Sequence, residues 1–99
     1  PTQVKVLTLP GTDHAFAHRI YDTLRSHKVR TVLDDRNEKI GYKVREARQV
    51  DRVPYMVIVG ANEIETGTVS VRDRDTDQTT NMSLDEFVNM LTAKIANRE

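Results

Sequence analysis

The chain predicts an α/β fold, a five-stranded mixed sheet flanked by three helices, and three features carry that prediction. Apolar β-branched runs at Val29 to Leu33 and Val53 to Val59 read as buried strands. Stripes at helical spacing, Phe16-Ala17-Ile20-Leu24 and Leu84-Phe87-Val88-Leu91-Ile95, read as amphipathic helices. Strands and helices alternate in the first half, which implies parallel pairing through helical crossovers; the second half turns back in short strands, which implies an antiparallel edge.

Taken in order, residues 3–9 mix polar and β-branched groups and form the first strand, broken by Pro10-Gly11. Thr12 or Asp13 caps the first helix. The second strand is Val29 to Leu33, and the second helix covers roughly residues 38–49 on the pattern Ile40, Val44, Ala47. The third strand is Val53 to Val59, followed by a turn at Gly60-Ala61-Asn62. A short strand at Glu63 to Glu65, a hairpin turn at Thr66-Gly67 and a half-exposed strand at Thr68 to Arg72 complete the sheet. Residues 73–82 are polar and read as a loop. Ser83 opens the last helix, with Glu86 three residues on as a capping box.

The 99 residues are expected to form one domain, 1–99, around a single modest core. Fifteen basic and fifteen acidic side chains cancel, which argues against a nonspecific nucleic-acid coat and leaves room for a small, shaped contact. The absence of cysteine removes disulfide scaffolds, thiolate zinc sites and cysteine nucleophiles together. No apolar stretch approaches the ~20 residues of a membrane span. The chain opens on Pro1 rather than Met and is expected to be a piece of something longer.

Charge is uneven along the chain. Residues 36–52 hold six bases and three acids; residues 53–82 hold two bases and five acids. A basic helix beside the strand ends can hold phosphates, or can be a solvated face laced with Glu–Arg pairs. Asn37 either caps the second helix or offers its amide to a base edge. Gly41 inside a helix costs ~1 kcal/mol relative to alanine, which points to close approach of a ligand or another chain, or to close packing on the sheet. His14 and His18 share a helix face but lack a third ligand in register, so they read as solvated histidines. Asp34-Asp35 has no nucleophile or leaving group beside it and reads as charge at a strand end. Tyr42 and Tyr55 can stack on unpaired bases or pack in the core. No Walker, Gly-x-Gly-x-x-Gly or Gly-x-Ser-x-Gly sequence occurs, so no self-sufficient active site is expected.

Two stretches carry a resemblance. The block Asp34-Asp35-Arg36-Asn37-Glu38-Lys39-Ile40-Gly41-Tyr42-Lys43-Val44-Arg45-Glu46-Ala47 and the strand Val53-Pro54-Tyr55-Met56-Val57-Ile58-Val59-Gly60 resemble the C-terminal anticodon-binding domain of class II aminoacyl-tRNA synthetases. The Asn-Glu-Lys-Ile-Gly block is most similar to the threonyl branch, with the prolyl, histidyl and glycyl relatives as alternatives. The opening Pro-x-Gln-Val and the Gly-Thr-Val-Ser-Val-Arg run at 67–72 extend the likeness to the whole chain.

The resemblance implies a domain that grips the anticodon loop of threonine tRNA and reads its unstacked bases. It implies no catalytic residue, metal or cofactor in this chain; ATP, magnesium and zinc belong to a separate catalytic domain, in a cytoplasmic enzyme that is a homodimer through that domain, while this fragment can be monomeric. It places anticodon contacts at Asn37, Arg52, Glu63 and Arg72. A Glu carboxylate can accept from guanine N1–H and N2–H, Arg can donate to carbonyl or phosphate oxygens, and Asn offers one group of each kind. Threonine anticodons carry a central guanine and a terminal uracil, which suits such a set. Relative to the family pattern, this chain carries one residue more within Arg48 to Arg52, so Arg48 competes with Arg52 for that role. Two other classes are open: a stand-alone interaction module of the same fold, and a small flavodoxin-like nucleotide binder. The second would need a phosphate-cradling glycine loop, of which Pro10-Gly11-Thr12 is a poor version.

Overall fold

A computed structural model describes residues 1–97. Five strands, β1 (Val4–Thr8), β2 (Thr31–Asp34), β3 (Tyr55–Val59), β4 (Thr68–Asp73) and β5 (Thr79–Ser83), lie in the order β2-β1-β3-β4-β5. β1 pairs parallel with β2 and β3, whereas β3–β4 and β4–β5 are antiparallel. The mixed sheet expected from the sequence is therefore present, with its parallel part built from β1, β2 and β3, the three strands that come first in the chain.

Two apolar layers sandwich the sheet. Helix α1 (Ala15–Ser26) and helix α4 (Leu84–Ala96) bury Ala17, Ile20, Leu24, Phe87, Val88 and Leu91 against Val4, Val6, Val57, Val59, Val69 and Val71. On the other face, helix α2 (Ile40–Glu46) and the turn after it pack Ile40, Val44 and Ala47 against Leu7, Met56 and Ile58. This alternation along β1 and β3 is the period-2 consequence of strand geometry. Ser83 caps α4 as expected, its hydroxyl accepting from Glu86 N–H at 3.1 Å. At α1, Asp13 Oδ1 accepts from Ala15 N–H at 2.9 Å, one residue ahead of the formal cap at His14.

Three expectations are corrected. Residues 63–65 are not a strand: they lie in an additional helix, α3 (Ala61–Thr66), so four helices rather than three flank the sheet among the described residues. Residues 73–82 are not simply a loop: the fifth strand, β5, begins at Thr79, and Arg72 belongs to the fourth strand, not the fifth. The second helix does not run to 49 as regular α-helix. It changes at Ala47–Asp51 to a π-helical turn, which ends at Arg52 in the left-handed region, φ 53°. An i→i+5 turn takes up more chain than an α-turn, and it includes Arg48 to Asp51, within the stretch where the resemblance implies an additional residue.

Among the described residues, no helix is long and apolar enough to cross a membrane.

Candidate nucleic-acid interface

α2 covers β1 and β3 but leaves its side of β4 and β5 bare. Buried residues of β4 (Val69, Val71) point to the opposite layer, and β5 has none. Register places Thr68, Ser70 and Arg72 beside Ser83, Asn81 and Thr79, all on the bare face. The result is a polar patch at the edge of the sheet. Arg72 Nε donates to Thr79 Oγ1 at 3.2 Å, which leaves its terminal amino groups unbonded among the described residues.

Glu63 closes one end of this patch. Gly60 opens α3, and Glu63 stands three residues on, where its Oε1 accepts from Gly60 N–H at 2.8 Å. Its Oε2 accepts from Ser70 Oγ at 3.1 Å and from Asn62 Nδ2 at 3.4 Å. Burial pushes this carboxyl up, but the Gly60 N–H, the Asn62 amide and the Ser70 hydroxyl outweigh it, and the group sits below the usual glutamate range. Glu63 is thus an ionised acceptor at pH 7. Of roughly four lone-pair sites on a carboxylate, three are engaged and one on Oε1 is open.

Asn37 occupies the β2–α2 loop at the carboxyl end of a parallel strand, the usual location for ligands in α/β sheets. It does not cap α2: the cap position is Lys39, with no side-chain cap bond. Its amide is exposed and makes no hydrogen bond among the described residues. The loop beneath it is firmly held. The buried Asp34 carboxylate accepts from Arg36 Nε at 2.9 Å, Arg36 Nη2 at 2.8 Å and Arg36 N–H at 3.2 Å. Arg36 also donates to Glu46 at 2.7 Å and lies over the Tyr42 ring, 5.6 Å from its centre. Lys5 continues the chain to Glu46 and Asp51. The Arg36 guanidinium holds Asp34 well below the ordinary carboxylate range.

Lys43 anchors the same region from inside. It is fully buried. Its Nζ donates to Thr8 O at 2.8 Å, Thr8 Oγ1 at 3.1 Å and Asp34 O at 3.3 Å, tying α2 to the ends of β1 and β2. Three ammonium protons meet three acceptors. Burial lowers its pKa, the nearby carboxylates opposing.

Arg52 lies at the amino end of β3. There it lines a cleft of about 600 Å³ with Gln3, Lys5, Arg30, Pro54 and Arg74. Its carbonyl accepts from Arg74 Nη1 at 2.9 Å, and its side chain has no partner among the described residues. Arg48, by contrast, is ion-paired to Asp77 in the β4–β5 turn. Of the four residues singled out from the sequence, Glu63 and Arg72 share the bare face through Ser70. Asn37 stands on the rim above α2, and Arg52 lies at the amino end of β3, the end where Arg72 pairs with Met56.

A family profile described as "Anticodon binding domain" matches residues 3–94. The chain belongs to the anticodon-binding domain family. Threonine–tRNA ligase of Caldanaerobacter subterraneus subsp. tengcongensis is 46% identical over 98 residues, and that of Clostridioides difficile is 43% identical over 99. These cover 99% and 100% of the chain, which spans about 15% of the length of either relative. Among solved structures, the RNA-binding domain of threonyl-tRNA synthetase from Cryptosporidium parvum superposes with a TM-score of 0.88 at 24% identity, over 94% of this chain and 23% of that one. Prolyl-tRNA synthetase from the same organism gives 0.86 at 22%, over 98% and 21%. At those identities the superpositions speak for the fold, and the fold is that of synthetase anticodon-binding domains.

Sequence reasoning missed several residues of this anticodon-binding domain's bare face. Thr79 and Asn81 are visible only with β5 in place, and Ser70, on the half-exposed fourth strand, gains its role only through its bond to Glu63. Lys43 was counted merely as surface charge. Its signal was available: Ile40, Lys43, Val44 and Ala47 form an i, i+3, i+4, i+7 stripe, and Lys43 is its single charged member. The histidines are peripheral, with His18 Nε2 lying 3.6 Å from Asp35.

Proposed function

We propose that this domain reads the anticodon loop of threonine tRNA for a threonine–tRNA ligase, which joins threonine to its tRNA at the expense of ATP. The observation that carries the proposal is the bare β4–β5 face, which holds an ionised acceptor (Glu63) and an open donor (Arg72); the β2–α2 loop adds an unbonded Asn37 amide. Unpaired bases present matching edges, and a sheet face with displayed polar groups suits splayed nucleotides better than a duplex. The high identity to threonine–tRNA ligases favours the threonyl over the prolyl assignment.

On this reading the 99 residues recognise and do not catalyse. Threonine activation, with ATP, Mg²⁺ and Zn²⁺, falls to a catalytic domain outside this chain, in a cytoplasmic enzyme that dimerises through that domain. Asn37, Glu63 and Arg72 contact bases. Arg52, with its unpaired guanidinium beside the cleft at the amino end of β3, supplies a further contact to the loop, and the pairing of Arg48 with Asp77 favours Arg52 over Arg48 for it.

The test is binding of threonine tRNA with its anticodon intact or with the central guanine replaced. Tighter binding of the intact form, weakening as salt rises, is expected. Equal binding of both forms refutes base reading.

A further inference from the structure

Each hydroxyl proton around Asn81 can be assigned from its surroundings. Thr66 Oγ1 donates to Asn62 O at 2.8 Å, and a hydroxyl has one proton, so Thr68 supplies the proton in the 2.7 Å Thr66–Thr68 bond. Ser70 gives its proton to Glu63 Oε2, because an ionised carboxylate only accepts. Thr68 and Ser70 are therefore left with lone pairs alone. Asn81 Nδ2 donates to both, at 3.1 and 3.4 Å. Both amide N–H groups are consumed. The orientation of the amide is fixed, and its Oδ1, on an exposed residue of the bare face, has no partner among the described residues.

We propose that Asn81 is a further specificity-determining residue of the domain: a fixed hydrogen-bond acceptor for an N–H on the edge of an unpaired loop nucleotide docked on the β4–β5 face. This rests on the anticodon-loop reading above. The face is continuous with that interface, since Asn81 is joined to Glu63 through Ser70 and lies diagonally across from Arg72. An asparagine free to rotate its amide accepts or donates at will and discriminates little. An asparagine whose NH₂ is locked inward rejects any base edge that presents a carbonyl or an unprotonated ring nitrogen to it, because two acceptors then meet. The relay through Ser70 and Glu63 is what turns an ambivalent side chain into a selective one.

The experiment is a double-mutant cycle. Asn81→Ala and the unaltered protein are titrated with a threonine anticodon stem-loop RNA, and with stem-loops each lacking one N–H donor, such as inosine for guanine or N3-methyluridine for uridine. Thr80→Ala, on the opposite face of β5, is the control, and amide spectra verify the fold of each variant. Asn81→Ala is expected to weaken binding of the native stem-loop about three- to tenfold, the scale of one net hydrogen bond. That loss should vanish on one donor-deleted stem-loop, with Thr80→Ala binding like the unaltered protein. Undiminished binding by Asn81→Ala overturns the proposal, and so does an equal loss on every stem-loop, which marks a structural role only. If Glu63→Gln still alters discrimination in either case, the anticodon reading stands and the Asn81 assignment alone falls; if neither variant alters it, both fall.

Discussion

Glu63→Gln separates what Glu63 does for the fold from what it does for a ligand. The substitution is isosteric. Its amide oxygen can keep the 2.8 Å bond from Gly60 N–H, so the start of α3 survives. Its NH₂ replaces Oε2, where Ser70 and Asn62 now donate. The Ser70 hydroxyl–carboxylate bond and the long Asn62 bond are lost; bonds to charged groups contribute ~1.5–3 kcal/mol net, and because the site is only partly buried the loss is discounted below that span, to about 1 kcal/mol. Glu63→Ala also orphans the Gly60 N–H, a cap-type loss of about 1 kcal/mol more. Urea unfolding should therefore rank the chain as unaltered, then Gln, then Ala, in steps of about 1 kcal/mol.

Because the Glu63 pKa is depressed in the fold, its contribution is present above the ordinary glutamate value and lost as pH falls through the folded one. The gap between the unaltered protein and Glu63→Gln should close accordingly. For RNA, the single open lone pair on Oε1 permits one hydrogen bond unless Asn62 swings away. The discrimination lost should then sit near 1 kcal/mol, the bottom of the ~1–3 kcal/mol span of a bidentate base contact. Equal destabilisation by Gln and Ala would refute the division of labour between Oε1 and Oε2. Unchanged base discrimination by Glu63→Gln would remove Glu63 from the interface.

Three further outcomes follow from the loop and helix around Asn37. Asp34→Asn trades a carboxylate for an amide against Arg36 and should cost about 1–2 kcal/mol in urea unfolding, discounted for the half-exposed guanidinium; a change under about 0.3 kcal/mol would show that Arg36 does not hold the loop through Asp34. Lys43 has a depressed pKa, so between its folded value and the ordinary lysine value the unfolded chain binds the extra proton, and stability gains as pH rises through that window. Lys43→Met should abolish that gain, and parallel stability profiles for the two proteins from pH 7 to 10 would refute burial as the cause. A Cβ at Gly41 meets nothing within 4 Å, so packing on the sheet does not explain the glycine. Gly41→Ala should stabilise the free domain by up to about 1 kcal/mol while weakening RNA binding, and unaltered binding would exclude close approach of a nucleotide there.

What could be read from the sequence divides along a physical line. α1, α4 and the three parallel strands were legible because each buries a stripe or run whose period is visible within the element itself: Ala17, Ile20 and Leu24, or Val57 and Val59. β5 was not, because an edge strand with one bare face has little to alternate. Thr79, Thr80 and Asn81 are all exposed, and only Met82 reaches the core layer. α3 was not, because six residues with none buried carry no period; it is defined instead by the Gly60–Glu63 bond and by Gly67, at φ 70°. The same line runs through the site. Asn37 was legible as an exposed polar residue in a strand-to-helix loop. Its support was not, because Lys43 reaches Thr8 across 35 positions and Arg36 reaches Glu46 across ten.

Long-range polar contacts leave no local period, and here they do two jobs at once. The Lys43 and Arg36 bonds fix backbone at the ends of β1 and β2, and the Glu63–Ser70–Asn81 relay fixes the direction of hydrogen bonding on an open face. A face organised in this way presents acceptors and donors whose roles are set before any ligand arrives, so little side-chain freedom remains to be lost on binding. That preorganisation is the property a domain needs if it is to tell one exposed base from another with only a few hydrogen bonds.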